Sequence, residues 1–458
     1  MFTIPEIAAA GCGRIVGPET GGVRGVSSDS RTVGPGELFV PLRGERFDGH
    51  DFIAEVVAKG VTVVLAKEWW LEKNTPSPDI TIIAVKDTLR ALGDLAAAHR
   101  RRFAIPVIGV TGSNGKTTTK EMLAAILGQG GAGLKTEGNL NNLIGLPQML
   151  FRLRPEHRWA VLEMGMSEPG EIDRLAEVAA PLVGVVLNAF PAHLESMGSV
   201  ENVARAKGEL LLRLPAGGCA VFNCDDPLVA LLPSPPGVPR LSFGLADADV
   251  RATEIESLGI GGQRFNLHLP GGSSSVRLQA FGRHNVYNAL AAAAAAHAVG
   301  VAPEQIKNGL EAFRPFDKRF RLEEAGGLVL IDDSYNANPA SMAAALETLA
   351  ELKGAKRAFV ALGAMLELGG DEAGLHRTLG MQAARVADRL YLCGDLTVHT
   401  AEGALSAGMP AEAVIQGMTR EEIVADILTH AAAGDFVLAK GSRGMRMELV
   451  AAGIRNRP

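Results

Sequence analysis

Apolar residues in this chain gather into short unbroken runs, and stretches with helical spacing separate them. The runs at 37–42, 61–65 and 80–85 carry strand-forming residues, with β-branched side chains dominating the last two. They predict strands of a first unit over residues 1–103, closed by a helix from about 87 to 101. Further runs at 105–110, 159–162 and 183–187 alternate with helical patterns over 104–317. A strand that is apolar at every position, rather than at every second one, is covered on both faces. This second unit therefore predicts a mostly parallel sheet between layers of helix. The alternation resumes over 318–458, with runs at 328–331, 358–362, 390–393 and 436–439. Helix boundaries are marked there. Asn338 followed by Pro339 supplies an N-cap and a proline at the first helical position, Gly354 closes that helix, and Thr419 with Glu422 forms a capping box. No repeat of fixed period interrupts the scheme.

The run at 105–110 breaks into Thr111-Gly112-Ser113-Asn114-Gly115-Lys116-Thr117-Thr118, and a helical pattern follows over 120–127. Strand, glycine-rich turn and helix in that order aim backbone N–H groups and a helix N-terminus at one place, where an anion is stabilised. Lys116 is placed to reach the outer phosphates of a nucleotide, and the Thr117 hydroxyl to sit on magnesium. The strict P-loop pattern asks for a glycine where Val110 stands. A chance glycine-rich turn would look similar, but three elements in register favour phosphate binding. The expected fold is α/β with three domains: a small N-terminal α/β domain, a central P-loop parallel-sheet ATPase domain and a C-terminal Rossmann-like domain.

Ligands of open parallel sheets bind beyond the carboxyl ends of the strands, and polar residues stand at those ends here. Glu163 follows the run at 159–162 and suits a magnesium-bound triphosphate, with an ordinary surface carboxylate as the alternative. Asn188 follows the run at 183–187, with His193 close behind. Imidazole is an unusual magnesium ligand, so His193 reads equally as a structural histidine. Asp332 and Asp333 could bind a ribose hydroxyl or cap a turn. Lys207 lies within the apolar stripe Val200, Val203, Ala204, Leu210, Leu211 and Leu214 of a helical pattern over 199–214. A lysine there either snorkels to water or works with a lowered pKa, and a partly neutral amine accepts carbon dioxide as a carbamate. Asn285 and Asn288 share a helix face and could pair with the edge of a base, although Asn285 would also serve as a cap.

The hydrophobic content of 47% supports packed cores, and three Trp with three Tyr leave that packing to aliphatic side chains. A net charge of −6 argues against a chain that coats nucleic acid. Arg100-Arg101-Arg102 is expected as a solvated helix end. Cys12, Cys219, Cys224 and Cys393 are scattered without zinc-ligand spacing, as in a reducing cytosol. The N-terminus lacks a signal-peptide pattern, and the alanine-rich stretch 290–299, interrupted by His297, is too short for a bilayer. A cytoplasmic protein without membrane insertion is expected.

As a set, these residues resemble the Mur ligase family, the ATP-dependent amide-forming enzymes of peptidoglycan synthesis. Thr111-Gly-x-x-Gly-Lys-Thr117, Glu163-Met-Gly165, Ala192-His-Leu-Glu195, Ala206-Lys-Gly-Glu209 and His284-Asn-x-x-Asn-Ala289 occur in the family's order. Three further stretches resemble the member that joins D-alanyl-D-alanine to UDP-N-acetylmuramoyl-tripeptide. They are Ser27-Ser-Asp-Ser-Arg31 with Arg43-Gly-Glu-Arg-Phe-Asp-Gly-His-Asp51, Asn139-Leu-Asn-Asn-Leu-Ile-Gly-Leu-Pro147, and Asp332-Asp-Ser-Tyr-Asn-Ala-Asn-Pro339.

The resemblance implies ATP and magnesium as cofactors and an acyl-phosphate route; a monomer is expected. It implies that residues 111–118, Lys116 foremost, hold the ATP phosphates, and that Thr117, Glu163 and His193 are magnesium positions. Lys207 matches a carbamylated lysine that helps hold a second magnesium. Asn285 and Asn288 match adenine contacts and Asp333 a ribose contact. Arg319 and Arg321 both fit a further ATP-contacting arginine, with Arg321 preferred. Ser28, Asp29, Ser30 and Arg31 lie where the family binds the UDP part, and Asn139, Asn141 and Asn142 face the central cleft. Lys440-Gly-Ser-Arg443 resembles a stretch near the acceptor site. Two departures stand out: Ala364 replaces the usual Asp, and Asn188-Ala-Phe-Pro-Ala-His193 lacks the usual glycine before the histidine.

Overall fold

The unbroken apolar runs become the inner strands of three sheets in a computed structural model that describes residues 1–191 and 194–456. In the first sheet Gly25–Ser27, Glu37–Phe39, Val63–Lys67 and Thr81–Val85 pair in parallel, and Arg14–Val16 adds an antiparallel edge. A short pair, Phe2–Thr3 with Gly22–Val23, lies beside it. The helix Thr88–Arg100 starts at an Asp87 cap whose Oδ1 accepts the Arg90 N–H at 2.8 Å.

The expectation of a solvated arginine run fails at Arg100. Its guanidinium donates to the carbonyls of Phe103, Ile105 and Ala179 at 2.6, 3.1 and 3.1 Å. The turn from the first sheet into the second leaves carbonyls that no ladder satisfies, and this fork of donors covers them.

The second sheet has nine strands in the order Gly272–Leu278, Gln263–Leu269, Val250–Ser257, Arg240–Gly244, Cys219–Asn223, Val183–Val186, Val107–Thr111, Ala160–Glu163 and Leu134–Lys135. Pairing is parallel from Leu134–Lys135 as far as Val250–Ser257. The last two pairings are antiparallel. The added ribbon alternates rather than running apolar: Gln263, Phe265, Leu267 and Leu269 are buried and their neighbours are not. One face of it meets solvent, so the parallel expectation stops there. Against the parallel part lies the helix Arg283–Ala298, buried from Asn288 through Ala296. It packs on the helix Lys116–Leu127 and on five strands of the sheet, and alanine is the side chain that lets a helix approach on every side.

The third sheet runs Arg321–Ala325, Leu328–Asp333, Phe436–Lys440, Ala358–Gly363, Arg389–Cys393 and Val414–Gln416. It is parallel except for the hairpin that opens it. Helix Pro339–Lys353 begins at Asn338, whose Oδ1 accepts the Ser341 N–H at 2.9 Å while Ser341 Oγ accepts the Asn338 N–H at 3.0 Å. The Thr419–Glu422 capping box forms in both directions, at 2.7 and 3.2 Å. Among the described residues no helix is long and apolar enough to cross a membrane.

Candidate active site

The strand Val107–Thr111 is buried throughout, Val110 included, so a valine stands where the strict loop pattern has glycine because the strand continues through it. The turn comes at Gly115, with φ +86°. A side chain there would also meet Asn288 Oδ1 at 2.2 Å, so both backbone and space demand glycine. The helix Lys116–Leu127 then starts with no side-chain cap. Its first N–H groups, those of Lys116, Thr117 and Thr118, precede the first i→i−4 bond and face the turn, which is what a phosphate needs.

The loop is braced from the neighbouring strand end. Asn188 accepts the Ser113 N–H on its carbonyl at 3.1 Å and the Asn114 N–H on its side-chain oxygen at 2.9 Å, and its amide returns a bond to the Asn114 carbonyl at 3.1 Å. Ser113 Oγ donates to the Phe190 carbonyl at 3.0 Å. Thr111 Oγ1 donates to the Met164 carbonyl at 2.9 Å. Lys116 folds over the loop, its amine donating to the Gly112 carbonyl at 2.6 Å. Burial, opposed by Glu163 and reinforced by Arg319, brings its pKa down to about 8.

Glu163 pairs in register with Val110, which sets its carboxylate beside the loop. Its Oε2 accepts from the Thr117 hydroxyl at 3.3 Å. Its Oε1 lies 3.2 Å from Lys120 Nζ, close enough for charge pairing but not aligned as a hydrogen bond, so a buried lone pair is left uncommitted. A buried anionic oxygen without a hydrogen bond, next to a hydroxyl and an uncapped helix start, fits a hard cation. Among the described residues no cluster of three His, Cys, Asp or Glu side chains could hold a metal by itself. A magnesium shared with nucleotide phosphates needs no such cluster, since the phosphates supply oxygen ligands too. His193 lies outside the described residues.

Lys207 is buried at 3% exposure in the helix Val200–Leu212 and does not snorkel. Burial first, and the Lys116 charge second, push its amine well below the ordinary lysine range. Two residues on, Glu209 accepts the N–H groups of Gly170 and Asp173, both at 2.9 Å, and so locks this helix to the start of the helix Glu171–Ala179.

Asn285 and Asn288 both line the cleft, and both are buried. Their amides are linked, Asn288 Nδ2 donating to Asn285 Oδ1 at 2.9 Å, and Asn288 Oδ1 also accepts from the Thr119 hydroxyl at 3.3 Å. The cleft itself, about 1070 Å³, opens between the carboxyl ends of the second and third sheets.

From the third sheet, Asp333 accepts from the Phe320 N–H at 3.0 Å and pairs with the buried Lys440 at 2.6 Å. His284 lies near both; burial, offset by Asp333 and reinforced by Lys440, takes it down to about 4. Of the two candidate arginines, Arg319 and not the preferred Arg321 lines the cleft. Arg321 pairs with Asp317 and, at 3.3 Å, with Glu323, whereas Arg319 lines the cleft, donates to Thr117 Oγ1 at 3.1 Å and stacks 3.8 Å over the Tyr335 ring. The sheets also join directly: Asn114 and Asn338 exchange amide hydrogen bonds at 3.1 and 2.7 Å.

The first sheet contributes Ser28, Asp29, Ser30 and Arg31 at the mouth of a strand. Ser28 Oγ accepts from Gln148 Nε2 at 3.0 Å, Lys59 donates to the Ser30 carbonyl at 2.9 Å, and Arg31 grips Asp29 at 2.9 and 2.7 Å. That grip holds the Asp29 carboxyl down to about 2. Asn139 and Asn141 reach the cleft; Asn142 instead accepts the Gly145 N–H at 2.8 Å, ahead of the helix Gly145–Leu150. Ala364 is buried in backbone bonding, its N–H donating to the Cys393 carbonyl at 3.0 Å and its carbonyl accepting from the Ser442 N–H at 3.2 Å, a place where a carboxylate would lose its water. Sequence reasoning missed Lys120 and the bracing role of Asn188. A lysine in the stripe formed with Leu123, Ala124 and Leu127 was the available signal for the first.

A loop shaped for nucleotide phosphates thus faces a second open sheet across one cleft, the layout of ligases that bring a nucleotide and two other substrates together. Residues 110–296 match the Mur ligase middle domain, 318–443 the Mur ligase glutamate ligase domain and 22–100 the Mur ligase family catalytic domain. The chain is 40% identical over 433 residues to the UDP-N-acetylmuramoyl-tripeptide–D-alanyl-D-alanine ligase of Escherichia coli strain K12, with 93% of this chain and 92% of that one covered. In structure it is similar to MurF from Acinetobacter baumannii, with a TM-score of 0.90 and 36% identity over 100% of this chain and 99% of that one. MurF ligase from Thermotoga maritima, solved in complex with ADP, aligns with a TM-score of 0.84 and 30% identity over 94% and 97% of the two chains. The chain belongs to the Mur ligase family.

Proposed function

We propose that the chain joins D-alanyl-D-alanine to UDP-N-acetylmuramoyl-tripeptide, using ATP and magnesium, to give the UDP-pentapeptide of peptidoglycan synthesis. The observation that carries this reading is the likeness, over nearly its whole length, to a ligase named for that reaction. The cleft supports it by placing the phosphate loop, Glu163, Arg319 and Asp333 around one space. We read residues 1–103 as the precursor-binding domain, 104–317 as the ATP-binding domain and 318–458 as the ligase domain that completes the cleft. The protein is taken to act as a cytoplasmic monomer, without membrane insertion or nucleic-acid partner.

A carboxylate is a poor electrophile, because its charge repels an amine and oxide is a poor leaving group. Transfer of the γ-phosphoryl of ATP to the terminal carboxylate of the tripeptide gives an acyl phosphate and ADP. The amine of D-alanyl-D-alanine then attacks the carbonyl carbon, loses a proton, and phosphate leaves. In this reading the N–H groups of residues 115–118 and the Lys116 amine hold the phosphates, with Thr111, Gly112, Ser113 and Asn114 shaping the loop. Thr117, Glu163, His193 and carbamylated Lys207 would hold magnesium, which when bound would supply positive charge against the transferring phosphoryl. Asn285 and Asn288 lie along the adenine and Asp333 by the ribose. Arg319 rather than Arg321 is the arginine at the phosphates. Ser28, Asp29, Ser30 and Arg31 take the UDP end, and Asn139, Asn141 and Asn142 border the path to the cleft. Holding three substrates in one geometry supplies much of the remaining rate.

The test is phosphate release from ATP with UDP-N-acetylmuramoyl-tripeptide, with and without D-alanyl-D-alanine. Release that needs both, with a UDP-pentapeptide product by mass, is expected. Release indifferent to D-alanyl-D-alanine would move the reading to a sister ligase adding a single amino acid, or to a P-loop ATPase switch.

A further inference from the structure

Lys120 lies one turn after Lys116 in the helix Lys116–Leu127 and is 2% exposed. Its amine donates to the Thr136 carbonyl at 2.7 Å and lies 2.9 Å from Glu121 Oε1 and 3.2 Å from Glu163 Oε1. Thr136 grips Glu163 from the other side, its hydroxyl accepting the Glu163 N–H at 2.8 Å. Burying an ammonium is costly unless it is paired and hydrogen-bonded, and an apolar side chain would fill such a place at lower cost. A purely structural account would have Lys120 neutralise Glu121. Glu121, however, already pairs with Lys135. Lys120 is therefore shared between Glu121 and Glu163, and with Lys135 also serving Glu121 its charge is available to match Glu163.

We propose that Lys120 is a positioning residue for Glu163. Lys120 holds the Oε1 side of the carboxylate while Thr136 fixes the Glu163 backbone, so that Oε2 meets the Thr117 hydroxyl at the cation-binding end of the loop. Lys120 touches no substrate. Its own charge repels a cation, but the carboxylate stands between them, and loss of a fixed carboxylate outweighs relief of that repulsion. Groups that orient a metal ligand from behind change metal affinity by about 10- to 100-fold when removed.

This inference rests on the reading of Thr117 and Glu163 as magnesium positions, so the experiment separates the two. ADP binding to the full chain is titrated with and without Mg²⁺ for the wild type, Lys120→Met and Lys120→Arg. The wild type should gain affinity from Mg²⁺. Lys120→Met should lose about 10- to 100-fold of that gain while its metal-free ADP affinity is kept, and Lys120→Arg should recover most of it. Where the methionine variant does not fold, Lys120→Gln, which keeps a donor for the Thr136 carbonyl, makes the same comparison. A folded variant with the wild-type Mg²⁺ gain, or a larger one, overturns the role of Lys120. A wild type without any gain overturns the metal reading, and this inference with it.

Discussion

Two lysine amines serve this site, and the charge of Lys116 is felt at Lys207. Lys207, buried and beside Lys116, is held well below the ordinary range, so a larger share of it is neutral and able to take up carbon dioxide. Lys207→Ala should lower ligase turnover by about 100-fold or more, and added bicarbonate should not restore it. Full activity in Lys207→Arg would remove the carbamate from the mechanism. Lys116, at about 8, is partly neutral in mildly alkaline solution until phosphate charge draws its pKa back up. ADP binding near pH 8.5 should therefore take up a proton, and near pH 6.5, where the amine is charged in both states, it should not. Calorimetry in two buffers of different ionisation heat measures this, and equal heats near pH 8.5 would contradict it. At this scale the arginine was the least legible feature. Lys318 and Phe320 adopt φ +61° and +48°, rare for side chains other than glycine, and these turns send Arg319 into the cleft while Arg321 starts a strand. Nothing in the residue types announces such a turn.

Elements built from continuous apolar runs were readable because burial on both faces leaves that mark in the sequence. The ribbon of Val250–Ser257, Gln263–Leu269 and Gly272–Leu278 was not, since a half-solvated strand mixes serine, arginine and glutamate into its pattern. The alanine helix was legible as apolar but not as the central post of the second domain. Its position makes a prediction at the scale of the element. Ala293 is fully buried, so Ala293→Leu should cost about 1–3 kcal/mol or more by overpacking, read as a lower urea midpoint. A variant with an unchanged midpoint would mean that the helix is not gripped on all sides.

Across the whole molecule, His99, His284 and His376 are held below the ordinary histidine value, burial being the first cause in each case. The unfolded chain binds protons at these positions from about pH 6.5 downward, while folded His284 resists to about 4. Stability should be fully present at neutral pH and fall as pH drops through that window. Urea unfolding at pH 7.5, 6 and 5 tests this, and a flat midpoint would refute it. Three α/β units were legible from the order of strands and helices, and so was the strand, turn and helix around residues 111–118. Their contacts were not, because Ser28 with Gln148, Asn114 with Asn338 and Thr117 with Arg319 pair side chains far apart along the chain.

The exchange between Asn114 and Asn338 also bears on ancestry. Each amide is donor and acceptor to the other, so a change at one position leaves a group at the other without its match. The two sites, 224 residues apart, are therefore expected to drift together: a lineage that replaces one should carry a complementary replacement at the other.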